Sequence, residues 1–374
     1  MYFHLILTDN CNLCCSYCRA KAFLDLVESD GERAVEIDEN IPVDLEFNLE
    51  TLYTFLRKDP APTITFYGGE PLLREDLIER IVREAPVKRF MLQTNGVLLD
   101  RLTPEIINRF TTILVSIDGR RDLTDSNRGE GVYDRVIENI RNIQANGYRG
   151  ELIARMTVTE KTDIADAVCY LTSNPDYSFS SIHWQIDANF AGDYSLRQFK
   201  DWVIRSYNPG IRTLVREWVG HMATEGTVMR WYPFLDPMGD LLLGTSSLLR
   251  CGSGHANYSI MTDGHIVPCP IMIGMKEYYV GHIRDAHPCD LGRIEIGGEC
   301  LECRIRAFCG GRCLYSNITK PWGVAGRRIV CDTVVNLHDA LIEALPTVRD
   351  LIAKDAITIG DFAHEKFNGC EIIP

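Results

Sequence analysis

The chain has 374 residues, 45% hydrophobic and 24% charged. A length of that order carries about two domains with cores that stand without disulfide staples, and the composition excludes disorder as the main state. Thirty-nine Lys and Arg against 52 Asp and Glu give a net charge of −13, which speaks against nonspecific binding to nucleic acid or anionic lipid.

The opening MYFHLILTDNC has no basic flank, long apolar stretch or small-residue cleavage site, and no apolar run approaches the ~20 residues of a membrane span. The expectation is a cytoplasmic protein with neither nucleic acid nor membrane as a partner. In a reducing compartment, fourteen cysteines point to metal or redox chemistry rather than a disulfide frame.

Along the first half, short β-branched and aromatic runs alternate with stretches at helical spacing, the βα pattern of a parallel sheet. Strands are predicted at 2–8, 63–67, 89–94, 113–117, 152–158 and 182–186, and helices at 76–84, 104–110, 133–146 and 163–172. Six such units predict an α/β fold, a partial (β/α)6 barrel over 1–195, rather than a closed eightfold one. The stretch 24–51 carries ten acids against Arg33. It reads as a solvated insertion, with a docking surface for a basic segment as the alternative. Residues 196–245 read as a helical linker. The region 246–335 is a small domain punctuated by Gly, Pro and Cys, and 336–374 is a C-terminal helix and tail, with helical spacing returning at Asp332.

Directly after the first strand, CNLCCSYC places four thiols in eight residues. Three thiolates, Cys11 and Cys18 with either Cys14 or Cys15, would leave one iron of a [4Fe–4S] cube open to a substrate. A structural zinc knot fills four positions instead, and no His accompanies the loop. Gly68, Gly69, Glu70 and Pro71 follow the second strand. Thr94 and Asn95 end the third, Ser116 and Asp118 the fourth, and Thr157 the fifth, where parallel sheets place ligand groups.

Cys11, Cys15 and Cys18 with Tyr17 resemble the CxxxCxΦC loop of the radical S-adenosylmethionine (SAM) enzymes. That resemblance makes Cys14 the spare thiol. It also implies that Gly68, Gly69 and Glu70, as a GGEP segment, hold the amino group of the SAM methionine through backbone and carboxylate. Thr94, Asn95, Ser116 and Asp118 would line the methionine and ribose, Arg128 would meet the SAM carboxylate as a bidentate fork, and Thr157 would lie on the adenine side. Cys251, Gly264, Cys269, Cys300, Cys303, Cys309, Cys313 and Cys331 resemble the SPASM extension of peptide-modifying members, so the likeness runs from residue 2 to about 335.

By that pattern Cys300, Cys303, Cys309 and Cys331 hold one auxiliary [4Fe–4S] cluster and Cys251, Cys269 and Cys313 another. Cys289 is the candidate fourth ligand, with His255 a weaker one; Cys169 reads as a buried apolar residue and Cys370 as a plain thiol. The resemblance implies three [4Fe–4S] clusters and SAM as cofactors. It further implies reductive cleavage of SAM to a 5′-deoxyadenosyl radical, a peptide or protein substrate modified oxidatively, and an external electron donor such as ferredoxin or flavodoxin. Pro270 follows Cys269 where sulfatase-maturing members carry an aspartate base, so the likeness does not extend to formylglycine formation. Asp263 reads as a turn residue before Gly264. The competing classes are an iron–sulfur electron carrier and a zinc-dependent structural module.

Overall fold

The structure is a computed structural model describing residues 1–18, 36–188, 196–371 and 373–374. The acidic stretch from 24 to 35 lies outside the described residues. In chain order the elements are β1 (Tyr2–Ile6), α1 (Leu49–Leu56), β2 (Thr63–Tyr67), α2 (Glu75–Glu84), β3 (Arg89–Thr94), α3 (Pro104–Ile107), β4 (Phe110–Ser116), α4 (Arg121–Arg128), α5 (Val132–Ala145), β5 (Glu151–Val158), α6 (Ile164–Ser173) and β6 (Ser181–Ile186). They continue with α7 (Phe199–Trp202), α8 (Asn208–Glu225), β7 (Arg230–Trp231), α9 (Tyr232–Leu243), β8 (Asn257–Ile260), β9 (His265–Val267), β10 (Gly281–His282), α10 (Arg306–Cys309), α11 (Leu314–Thr319) and α12 (Gly323–Ala353).

All six predicted strands form. Two compact units divide the chain: Met1–Ile117, Thr124–Ile153 and Gly252–Glu295 make the first, and Asp118–Leu123, Ala154–Cys251 and Ile296–Pro374 the second. In the first unit the strand order is β10-β9-β8-β1-β2-β3-β4. β1 pairs in parallel with both β2 and β8, β2 with β3, and β3 with β4, while β8, β9 and β10 form an antiparallel meander. Strands β1 to β4 are buried at nearly every position, as expected for a parallel sheet covered on both faces. Phe3 meets Phe55 edge-on at 5.3 Å, and Phe66 stacks on Phe90 at 6.0 Å.

The second unit holds β6 parallel to β7 against a helical layer. Trp184 and Trp218, both fully buried, meet Phe234 of α9 at 5.2 and 5.5 Å. Asp163 caps α6 by accepting from the amides of Ala165 and Asp166, satisfying donors that a helix start leaves open. The region 196–245, read as a helical linker, begins as three pieces: α7, a π turn over Val203–Tyr207, and α8. Pro209 at the start of α8 has no amide hydrogen for the preceding turn, and the π geometry absorbs the loss.

Two further boundaries differ from the sequence reading. Helix α3 stops at Ile107 because the Asn108 side chain donates to the Pro104 carbonyl at 2.8 Å, and Phe110 already belongs to β4. The last helix begins at Gly323, nine residues before Asp332, and runs for 31 residues with Cys331 inside it. Among the described residues no helix is long and apolar enough to cross a membrane.

Candidate functional site

In the first unit, the loop that follows β1 is tied to the ends of β2 and β3. Gly69 and Glu70 donate their amides to the carbonyls of Thr8 and Asn10 at 2.9 and 2.8 Å. A Cβ on Gly68 would lie 2.3 Å from the Thr8 oxygen, and one on Gly69 2.3 Å from that of Asn10. Only a glycine pair admits this approach. Glu70 is fully buried. Its carboxylate accepts from the Leu72 amide at 3.0 Å, the Thr94 hydroxyl at 2.8 Å and the Asn95 amide at 2.7 Å.

In this structure the Glu70 carboxylate braces β2 to β3. Burial pushes its pKa up to about 7, against the opposing effect of the three hydrogen bonds. Asn95 extends the brace, its side-chain amide donating to Asn12 Oδ1 at 2.8 Å and reaching Cys11 Sγ at 3.9 Å. Cys11 Sγ also accepts from the Leu13 amide at 3.5 Å, and burial raises its pKa. Donors aimed at a sulfur suit a metal-bound thiolate. The Cys18 amide donates to the Cys15 carbonyl at 2.9 Å, closing the turn that carries both. Cys14 is exposed.

Helix α4 supplies the other wall of this loop. Arg128, at its end, is 6% exposed, and its guanidinium lies 5.4 Å from the centre of the Tyr17 ring, a cation–π distance. The Ser16 amide donates to the Asn127 carbonyl at 2.7 Å, so the aromatic of the cysteine loop and the predicted carboxylate-binding arginine are fixed together. Asp125 accepts from the amides of Gly131 and Tyr133, pinning the turn after Arg128. Asn139, buried on α5, donates to the carbonyls of Gly96 and Val97 at 2.9 Å each. Ser116 is half-buried at the end of β4. In this unit Cys269 precedes the short turn Pro270–Met272 and Cys289 is exposed. Asp263 accepts from the amide and ring of His265, the turn role expected of it.

In the second unit Asp118 is fully buried and accepts from the Thr157 amide at 2.9 Å, joining two predicted site residues. Cys300, Cys303, Cys309 and Cys331 form an electrostatic group. Burial raises the pKa of Cys309 and takes Cys331 up to about 11, and in both the neighbouring thiols of the set add to the rise. Arg312, 9% exposed and at φ 54°, opposes it. Four thiols crowded beside a guanidinium suit a four-iron cube, whose iron stabilises the thiolate forms that burial alone disfavours. Asn317 bonds both backbone groups of Gly297, at 2.7 and 3.0 Å, and favours the Cys300 thiolate. Among the described residues no three His, Cys, Asp or Glu converge on a single-ion site; ligands of a cube sit at its corners and need not converge.

Cys169 is half-buried rather than buried, its thiol donating to Glu217 at 2.9 Å. The sequence reading missed Asn12, Ser16, Asn127, Asp125, Asn139 and Asn317. Each is a common polar residue with no distinctive spacing, although Asn127 and Asp125 flank Arg128 and were open to suspicion on that ground.

Residues 5–167 match the Radical SAM superfamily. A protein of Archaeoglobus fulgidus is 25% identical over 338 residues, covering 82% of this chain and 72% of its own. The mycofactocin maturase MftC of Mycobacterium tuberculosis is 26% identical over 288 residues, 71% of this chain and 63% of its own. Among solved structures, anSMEcpe with bound AdoMet superposes with a TM-score of 0.70 at 19% identity, over 94% of this chain and 99% of that one. Streptococcus suis SuiB bound to its precursor peptide SuiA gives 0.52 at 15%, over 83% and 71%.

Proposed function

We propose that this chain, whose residues 5–167 match the Radical SAM superfamily, is a radical SAM enzyme that modifies a peptide or protein oxidatively, with three [4Fe–4S] clusters and an external electron donor of the ferredoxin or flavodoxin kind. The observation that carries the reading is the brace from Glu70 through Asn95 to Cys11, which holds a CxxxCxΦC loop against the strand ends where a parallel sheet binds ligands. When bound, the cluster and SAM supply one-electron cleavage of the sulfonium and hydrogen abstraction from substrate.

The chain's own residues do the rest. Cys11, Cys15 and Cys18 hold the cluster. The Gly68–Gly69 backbone and the Glu70 carboxylate hold the methionine amino group, and Arg128 meets its carboxylate. Thr94, Asn95, Ser116, Asp118 and Thr157 line the remainder of the cofactor. Cys300, Cys303, Cys309 and Cys331 hold one auxiliary cluster, and Cys251, Cys269 and Cys313 the other with Cys289 as fourth ligand; both are outlets for the electron left on the substrate.

Support for a peptide substrate comes from similar solved structures that hold one, SuiB with its precursor peptide SuiA and anSMEcpe with a bound peptide. The domain ranges 1–195 for the barrel and 246–335 for the auxiliary-cluster region belong to the same proposal. Anaerobic reconstitution tests it. About twelve irons per chain, at four per cluster, and SAM-dependent release of 5′-deoxyadenosine are expected. About four irons would remove the auxiliary clusters from the reading, and absent 5′-deoxyadenosine would remove the chemistry. Arg128→Ala should weaken SAM binding roughly tenfold to a hundredfold, the loss of a charged hydrogen bond worth about 1.5–3 kcal/mol, with iron content unchanged. Calorimetry with SAM measures it.

A further inference from the structure

In the second unit, two cysteine-bearing segments that the sequence separates by almost sixty positions are laced along their backbones. The Ser247 amide donates to the Ala307 carbonyl at 2.8 Å. Gly310, at φ 65°, lies so close to the 248 peptide that a Cβ on it would sit 2.2 Å from the Leu248 oxygen. Between these two contacts stands Arg250. Its guanidinium donates from Nε and Nη2 to the Phe308 carbonyl, at 2.9 and 2.5 Å, and from Nη1 to Asp236 and, at 2.7 Å, to Asp240 of α9.

The Arg250 side chain is 1% exposed and that of Asp236 3%. Lys366 and His364 also reach Asp236. Arg250 immediately precedes Cys251, and Phe308 immediately precedes Cys309. The arginine thus joins the peptide next to a ligand of one auxiliary set to the peptide next to a ligand of the other.

We infer that Arg250 is a positioning residue that locks Cys251 to Cys309, so that the two auxiliary cysteine sets keep a fixed separation and respond together when the lock is changed. A guanidinium suits this place because its planar fork serves one carbonyl and two carboxylates at once; an ammonium keeps the charge but offers no fork. Hydrogen bonding and charge near the sulfurs are the protein's levers on cluster potential. The electronic consequence rests on the three-cluster reading; the lacing does not.

The experiment has an arm for each. Hydrogen exchange on R250Q should show the amides of 247–251 and 307–311 losing protection together, at least tenfold, while those of α6 keep theirs. Unchanged protection in either segment would overturn the lock whatever the cluster content. In the iron-loaded protein, R250K should keep its iron and its uncoupled SAM cleavage, yet shift the midpoint potential of both auxiliary clusters and their spin–spin broadening in the fully reduced state. Potentials and broadening identical to the unmutated protein would overturn the inference. Should R250Q fail to fold, R250K, which keeps the charge but loses the fork onto the Phe308 carbonyl, carries the exchange arm with the same outcomes. Four irons in the unmutated protein would defeat the three-cluster reading alone, since the exchange result still decides the lock.

Discussion

At the residue scale, Glu70 shows how a motif side chain can brace the frame of its own site. Replacing it by Gln keeps the shape and sets an NH2 group against the Asn95 amide that now donates to Oε2 at 2.7 Å. A buried donor left without an acceptor costs about 1–3 kcal/mol, so E70Q should lose that much stability, read as a lower urea midpoint at an unchanged slope. Cys169 offers a chemical readout. Burial and the Glu217 carboxylate push its pKa up to about 12, and the thiolate is the nucleophile. At pH 8, iodoacetamide should leave Cys169 largely unmodified by mass spectrometry, and E217Q should raise its labelling rate several-fold. The cysteines and the glycine pair were legible because their spacing is itself the signal. The partners of Glu70 were not, because a hydrogen bond from a strand end to a buried carboxylate leaves no periodic trace.

At the scale of elements, hydrophobic periodicity found every strand of the first half and placed the helix after Asp163 within a residue of its cap. It failed where one backbone irregularity interrupts an unchanged apolar pattern, as at the π turn before Pro209, and where a cysteine reads as punctuation, as with Cys331 inside α12. Contact between helices was likewise invisible in sequence. Gly210 in the first turn of α8 sits against α6, where a Cβ would come 2.6 Å from Ile164 Cγ2. That methyl belongs to a β-branched side chain with little rotamer freedom. Alanine gains up to about 1 kcal/mol in helix preference, less in a first turn, and overpacking costs about 1–3 kcal/mol. G210A should therefore be destabilised by about 1 kcal/mol, visible as a lower urea midpoint.

For the molecule as a whole, pH dependence includes the contributions of two buried carboxyls of the second unit that titrate in opposite senses. Asp236, facing Arg250, Lys366 and His364, is held well below the usual carboxylate range. Its contribution is present above the unfolded value near 4 and is lost as pH falls toward the folded one. Glu371 is 2% exposed, and burial raises it from 4.5 to about 7. The folded state then binds the proton more tightly, so stability is full below 4.5 and declines as pH rises through 7, by about 3 kcal/mol at 1.36 kcal/mol per unit. E371Q lacks that titration. Its thermal midpoint relative to the unmutated protein should rise between pH 5 and pH 8; a difference constant with pH would show that Glu371 does not carry this dependence.

The place of β1 has a consequence for how the chain is made. That strand pairs with β2 on one side and β8 on the other, and His4 bonds Asn257 across the second pairing at 3.0 Å. Strand β8 leaves the ribosome about 250 residues after β1, which at roughly 5–20 residues per second is on the order of ten to fifty seconds. Throughout that interval one side of the first strand is an open edge of apolar residues, the kind that recruits other chains. A fragment ending at residue 195 contains all six strands of the predicted barrel yet never receives this partner. It should sediment as aggregate, whereas a fragment of 1–195 supplied in trans with 246–295 should be partly rescued. Nascent chains stalled before residue 257 should, for the same reason, depend on holdase chaperones for solubility, and chains stalled beyond β10 should be released from that dependence.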